Sequence, residues 1–279
     1  MNQDQSTIDD LRIAILTYES LFSNIITERI LQEFPGQVVG IIRSDCLIYG
    51  RSLPQGLVYL ARRAGLRFVG RKALEFFQSR LTAIVFRLIG RKAKVNSLRN
   101  TPAIYKVPVV GSTDVNSPET LAQLKAWQVN FVISNYLNQL IKPDLINLPA
   151  KGVVNVHPAL LPRHRGLFPY FWVISENDKE TGATVHWVDE KYDTGAILTQ
   201  GRVAVEPTDT IQSLSYKCAK VAADCVVEAI RLVAAGDPPH IAQDDSLASY
   251  HSWPKPADQR RFRQQGGQYG TIFELWKYM

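Results

Sequence analysis

The chain has 279 residues, enough for one large domain or two small ones. Apolar residues make up 46% and charged residues 21%, a globular balance that excludes a wholly disordered chain. The net charge of +6 hides an asymmetry: residues 51–100 carry twelve Lys or Arg against one acid, Glu75, and the remainder is net acidic, unlike a nucleic-acid coat protein.

The start, MNQDQSTIDD, is polar and acidic, the wrong chemistry for a secretory signal. No uncharged apolar run approaches the roughly 20 residues of a membrane-spanning helix. A cytoplasmic protein is expected, at most peripheral to a membrane. Cys46, Cys218 and Cys225 are too few and too scattered for a disulfide framework, and no zinc-type spacing of Cys and His occurs, so no metal is expected.

In chain order, Leu11 to Leu16 (LRIAIL) reads as a buried strand and Leu21 to Phe34 as a helix stopped by Pro35-Gly36. Gln37 to Ile42 (QVVGII) is a second buried strand, and this β-α-β opening predicts a parallel sheet. The first strand runs into Thr17-Tyr18-Glu19-Ser20 with no glycine, which argues against a dinucleotide fold of the G-x-G-x-x-G kind; a P-loop is absent too. Pro54 to Ala64 and Leu66 to Ile89 then read as helices. On the second, Val69, Ala73, Phe77, Leu81, Ile84 and Leu88 share a face, with Arg80, Arg87 and Arg91 beside it. Two readings of this basic segment stand open: packing on the domain or a second subunit with the arginine heads reaching water, or contact with an anionic membrane surface or a phosphate-bearing substrate.

The α/β alternation resumes with Tyr105 to Val110 as strand-like, Ser117 to Trp127 as a capped helix, and Phe131 to Ser134 and Gly152 to Val156 as buried strands. Thr184 to Val188 and Ile197 to Val205 look extended. Asp209 to Ala235 is a long helix capped near Thr208 or Asp209 and stopped at Gly236, with Leu214, Cys218, Val221, Cys225 and Ile230 on its core face. From Asp237 the chain is rich in Pro, Gln and Gly and shows no strong period.

The chemistry gathers in Val153 to Gln200. A buried strand ends at Val154; Asn155 and His157 follow two residues apart, so in extended chain they point the same way, and both can donate to an oxygen. Pro158 and Pro162 bracket a loop ending at Gly166. In open α/β sheets, ligands bind beyond the carboxyl ends of strands, where this pair lies. Asp189 and Asp193 are both candidate carboxylates, and spacing does not choose between them.

The segments NVHPALLPRHRG and ETGATVHWVDEKYDTGAIL closely resemble the folate-dependent formyltransferase family, whose signature is an Asn-x-His-Pro loop and a distant Asp-x-Gly. The resemblance is strongest over Phe131 to Gln200. It implies a Rossmann-like parallel or mixed α/β sheet flanked by helices, carrying here a basic helical insertion at 51–100 and a short C-terminal extension. It divides the chain into a catalytic domain at 1–205 and a C-terminal helix with an irregular tail at 206–279. It implies Asn155, His157 and Asp193 as the catalytic trio, Asn155 and His157 donating to the formyl oxyanion and Asp193 orienting His157 and shuttling the proton, with Asp193 preferred to Asp189 because Thr194-Gly195 follows it. The cosubstrate implied is 10-formyltetrahydrofolate, with its pterin held between the loop of Asn138, Gln139, Leu140 and Ile141 and the loop of Val188, Asp189 and Asp193. Ala159 stands where the family usually has Ser.

The acceptor is narrowed by comparison within that family. Its glycinamide ribonucleotide branch carries a glycine-rich phosphate loop after the first strand; Thr17 to Asn24 (TYESLFSN) has none. Arg165, Gly166 and Pro169 resemble the Arg-Gly-x-x-Pro pattern of the tRNA and sugar branches, which places them at the acceptor. The residues after Gly236 are too few for the C-terminal barrel of the tRNA branch, although the basic, aromatic stretch HSWPKPADQRRFRQQGG leaves tRNA contact open. The expectation is formyl transfer to the amino group of a small, sugar- or lipid-linked molecule. The alternatives are a tRNA enzyme lacking the barrel, a formyltetrahydrofolate hydrolase, and a catalytically silent folate-binding module. His186 is expected to support the site rather than to react.

Overall fold

The computed structural model describes residues 7–74, 77 and 95–278. Its frame is a seven-stranded sheet in the order β3-β2-β1-β4-β5-β7-β8. The strands are β1 (Ile13–Thr17), β2 (Val38–Ser44), β3 (Val109–Ser112), β4 (Phe131–Asn135), β5 (Val153–His157), β7 (Glu180–Trp187) and β8 (Ile197–Ala204). The first five run parallel; β7 is antiparallel to β5, and β8 to β7. A separate parallel pair joins β6 (Arg165–Gly166) to β9 (Tyr250–His251). The α/β architecture with a mostly parallel sheet is the one the sequence predicts.

Apolar runs make the central strands because both faces are covered. Ile13 and Ile15 of β1 join a core with Ile26 and Ile30 of the helix Leu21–Glu33 and with Val226 and Ile230 of the helix Ile211–Ala235. Ala14 and Leu16 point the other way, into a core with Leu124 and Leu145. A strand buried on both sides gains from every residue, which is why it reads as a continuous run rather than an alternation. The long helix starts one or two residues later than the candidate caps Thr208 and Asp209 suggest: Thr210 is the cap, accepting from the Ser213 N–H at 3.0 Å. It ends at Gly236, as expected, with φ of 96°. Because it shares one core with β1, β4, β5 and β7, the helix Ile211–Ala235 is packed onto the sheet.

Two expectations need correction. Tyr105 is not in a strand: Thr101–Tyr105 is helical, with Pro102 in its first turn, and pairing starts only at Val109, after Pro108. The tail after Asp237 is not irregular: it holds β9 and the helices Pro256–Gln264 and Ile272–Tyr278. Its order comes from a third core, in which Phe262 stacks on Phe171 with ring centroids 4.7 Å apart and Tyr269 packs beside them. Of the basic insertion, Leu53–Ala64 and residues 66–74 are helical; Arg80, Arg87 and Arg91 lie outside the described residues. Among the described residues no helix is long and apolar enough to cross a membrane.

Ile133 lies fully buried in β4 at the centre of the sheet. Ile133→Ala is expected to cost about 2–5 kcal/mol, read as a lower urea midpoint with an unchanged m-value, whereas Lys125→Ala on the exposed side of Pro118–Ala126 stays within about 0.5 kcal/mol.

Candidate active site

Asn155 and His157 sit at the C-terminal end of β5. Val154 and Val156 face the core under the long helix, so alternation sends Asn155 and His157 to the opposite face. In the sheet register Asn155 lies between Ser134 of β4 and His186 of β7, which makes a row of three polar side chains across three strands. Ser134 donates its hydroxyl proton to Asn155 Oδ1 at 2.8 Å. That fixes the amide, and Asn155 Nδ2 lies 3.1 Å from His186 Nε2 and 3.4 Å from Asp193 Oδ1.

The tautomers follow from the partners. His186 Nδ1 lies 2.8 Å from the Trp187 carbonyl, which can only accept, so Nδ1 carries the proton and neutral Nε2 accepts from Asn155. His157 Nε2 lies 2.9 Å from the His164 carbonyl and is likewise the protonated nitrogen. Its other nitrogen, Nδ1, faces Asp193 Oδ1 at 3.5 Å.

Asp193 comes in from the loop between β7 and β8 with a left-handed φ of 56°, a region that Asp tolerates better than most residues. Its Oδ2 accepts the Gly166 backbone N–H at 2.8 Å. Gly166 has φ of 92°, and a Cβ there would run into the His251 carbonyl of β9, so glycine is what lets that N–H reach the carboxylate. Gly195 plays a similar part: a Cβ there would collide with the Trp187 carbonyl that anchors His186.

Burial alone would favour the neutral form of Asp193, but His157, His186 and the Gly166 N–H together outweigh it and hold the carboxyl well below the usual carboxylate range. His157 goes the other way from an ordinary imidazole: burial lowers its pKa, against the pull of Asp193 and the His164 carbonyl. The pair is therefore a carboxylate beside a neutral imidazole whose lone pair faces the site.

Asp189 does something else. Both of its oxygens accept from Thr194 Oγ1, at 2.8 and 2.7 Å, and Oδ1 accepts the Lys191 N–H, so it closes its own turn. Asn138 and Gln139 are also engaged: Asn138 takes the Ser44 hydroxyl and donates to the Cys46 carbonyl, and Gln139 bridges Ser44 and the Val115 N–H. Their side chains staple the loop after β4 to the ends of β2 and β3. Ile141 is in the core, while Leu140 and Val188 are half-buried. Pro169 starts the helix Pro169–Ser175.

Arg165 is 8% exposed, and its guanidinium is taken by the C-terminal extension: Nε and Nη2 donate to Gln243 Oε1 at 3.2 and 2.7 Å, and Nη2 to Asp245 at 2.7 Å. Gln243 in turn donates to the Asp193 carbonyl at 3.0 Å and the Gly195 carbonyl at 2.8 Å. Sequence reasoning missed Gln243 and Ser134. Gln243 sits in a stretch without periodicity and gives no signal; Ser134 gives one, as the polar end of an apolar strand in an α/β sheet.

A carboxyl whose folded-state pKa is depressed stabilises the fold above its unfolded value and loses that contribution as pH falls toward the folded value. The gap in Tm between wild type and Asp193→Asn is expected to be constant from pH 8 to about 5 and to close below about 4, the unfolded carboxylate range. A gap that widens in acid would contradict the ionised state.

The family profile described as formyl transferase matches residues 74–230. The methionyl-tRNA formyltransferase of Methylacidiphilum infernorum is 31% identical over 164 residues, 58% of this chain and 51% of that protein. That of Syntrophus aciditrophicus is 32% identical over 55% of this chain and 49% of its own length. The chain thus spans about half the length of these curated relatives. Among solved structures, an N-formyltransferase from Helicobacter canadensis in complex with folinic acid and dTDP-3-aminofucose superposes with a TM-score of 0.58 at 18% identity, covering 89% of this chain and 72% of that one. A glycinamide ribonucleotide transformylase from Symbiobacterium toebii gives 0.54 at 20% identity, covering 84% and 95%. The fold is shared with these enzymes, and on the profile match the chain belongs to the formyl transferase family.

Proposed function

We propose that this protein transfers the formyl group of 10-formyltetrahydrofolate to an amino group of a small, sugar- or lipid-linked acceptor. The observation that carries the reading is the convergence of Asn155 Nδ2 and His157 Nδ1 on one oxygen of a buried, ionised Asp193, at 3.4 and 3.5 Å. Both separations are longer than a good hydrogen bond. Neither donor nor acceptor is committed there, and a reacting formyl group can engage them.

The proposed course uses the charge states above. The acceptor nitrogen adds to the formyl carbon and the carbonyl electrons move onto the oxygen. The Asn155 amide donates to that oxyanion. Neutral His157 takes the proton released by the amine at Nδ1, and the imidazolium is stabilised by the Asp193 carboxylate. The C–N10 bond then breaks, N10 receives that proton, and the products are the formamide and tetrahydrofolate. The pterin is assigned to the region between Asn138–Ile141 and Val188–Asp193, with Leu140 and Ile141 as its apolar wall.

For the acceptor, the turn after β1 is informative. The Glu19 carboxylate is engaged by Ser97 and the Leu98 N–H, and Ser20 caps the following helix. An acidic, glycine-free turn is a poor phosphate cradle, which argues against glycinamide ribonucleotide. The sugar reading is supported by structural neighbours matched over most of this chain, such as the dTDP-3-aminofucose complex. A tRNA acceptor is the second reading, favoured by the sequence relatives at 31 and 32% identity.

Turnover of 10-formyltetrahydrofolate, followed by absorbance, is expected only with an acceptor; a panel of nucleotide-linked amino sugars, initiator methionyl-tRNA and glycinamide ribonucleotide identifies which. Asn155→Ala is expected to lower kcat by roughly 10²–10³. Formate release without any acceptor would refute transfer in favour of hydrolysis. Because the pKa of His157 is lowered, its base form prevails at neutral pH, and kcat/KM should fall only on the acid side, below about 6.5; a limb on the alkaline side of neutrality would contradict the base role.

A further inference from the structure

A second polar cluster lies behind the catalytic loop. His164 comes from the loop after β5, Glu176 from the end of the helix Pro169–Ser175, and His251 from β9. One ligand-capable atom from each lies within 4.8 Å of the other two. We propose that His164, Glu176 and His251 bind one divalent transition-metal ion, zinc by the character of the ligand set, and that this ion fastens the C-terminal extension to the loop that orients His157.

The protonation pattern of His164 is the first argument. Its Nε2 lies 2.7 Å from Asp178 Oδ2, and Asp178 is further held by Arg163 at 2.8 Å. An ionised carboxylate only accepts, so the imidazole proton is on Nε2 and the lone pair is on Nδ1. A histidine that gives its outer N–H to a carboxylate and keeps the other nitrogen bare is the arrangement of a metal ligand. His164 is 3% exposed, and its Nδ1 has no hydrogen-bond partner. A buried lone pair without a donor is costly, and a cation resolves it.

The second argument is proximity: His251 and Glu176 already sit at the spacing a zinc ion needs, and all three ligand atoms lie within 4.8 Å of one another. His251 Nε2 is also buried without a hydrogen-bond partner and lies 3.4 Å from Glu176 Oε1. Ligands about 2.1 Å from a tetrahedral zinc sit roughly 3.3–3.5 Å apart, and two imidazoles on one zinc hold their centroids roughly 5 Å apart. The His164 and His251 centroids are 5.2 Å apart. Two imidazoles and a carboxylate are a borderline nitrogen and oxygen set suited to zinc rather than to calcium or magnesium, and they leave a fourth position for water. Trp172 stacks on His251 at 4.6 Å and shields one side. The spacing of these residues along the chain is nothing like a zinc motif; the fold alone brings them together.

The third argument is what the cluster connects. The His164 carbonyl accepts from His157 Nε2, and β9 hydrogen-bonds the same loop through Arg165 N to the Ser249 carbonyl and Leu167 N to the His251 carbonyl. An ion at this point ties together the loop and the extension without touching the reacting atoms. His164, Glu176 and His251 are then positioning residues.

The test is metal binding by the full-length protein, stripped with chelator and titrated with zinc chloride in a calorimeter, with cobalt(II) as a spectroscopic probe. One equivalent is expected, with a rise in Tm and, for cobalt, the intense visible absorption of a tetrahedral site. Glu176→Gln and His251→Ala should abolish that equivalent and the cobalt spectrum, and Asp178→Asn should weaken binding roughly 10–100-fold. Glu176 is half-exposed, so its substitution keeps the test valid where His251→Ala does not fold. No saturable zinc binding by wild type, or binding unchanged in Glu176→Gln and His251→Ala, overturns the proposal. Binding is read independently of turnover, so failure here leaves the transferase reading intact, and the reverse holds too.

Discussion

The structure around the site depends on keeping one carboxylate ionised while nearly buried. An unpaired buried charge is prohibitively costly, so Asp193 needs donors on every side. They come from separate elements, the Gly166 N–H from β6 and the Asn155 amide from β5, while the His157 and His186 rings border the carboxylate from β5 and β7. That demand explains local oddities that otherwise look unrelated. Asp193 takes a left-handed φ to aim its oxygens inward, Gly166 takes one to bring an amide to them, and β7 runs antiparallel beside β5, which sets His186 opposite Asn155.

The same demand separates the two titratable groups. Burial acts on both and favours the neutral form of each, yet only at Asp193 do the surroundings outweigh it. His157 has one firm partner, the His164 carbonyl, which fixes the tautomer without charging the ring. A permanent anion beside a neutral base is suited to a reaction in which a proton must be taken from an amine and passed on: the base is free at the start, and its charged form has a counter-ion already in place.

The frame was legible in the sequence because buried parallel strands leave an apolar run, and β1, β2, β4 and β5 each had one. Asn155 and His157 were legible because two-residue spacing after such a run sets two side chains on one face. The choice of Asp193 over Asp189 needed a family resemblance. In the fold Asp189 is spent on Thr194, while Asp193 points at Asn155 and His157. Tyr105 misled because a β-favouring residue closes a short helix opened by Pro102 three residues before it, a preference of the residue overridden by its local context. The C-terminal extension was illegible for a different reason: it is held by backbone pairing in β9 and by aromatic contacts of Phe262 and Tyr269, neither of which leaves a period.

That illegible segment still bears on the site. Gln243 bridges Arg165 to the carbonyls of Asp193 and Gly195, so the guanidinium that resembled an acceptor contact is instead tied, through one glutamine, to the loop that carries the carboxylate. The family match ends at residue 230, before Gln243, Asp245 and His251. Asn155, His157 and Asp193 thus lie inside the matched segment together with Ser134, His164 and Gly166 that hold them, while Gln243, Asp245 and His251 lie outside it. The proposed reaction constrains the first set, because in it an amide, an imidazole and a carboxylate must meet within hydrogen-bond reach. The second set is constrained only to hold a loop still, which many different residues can do, and so it leaves no motif in the sequence.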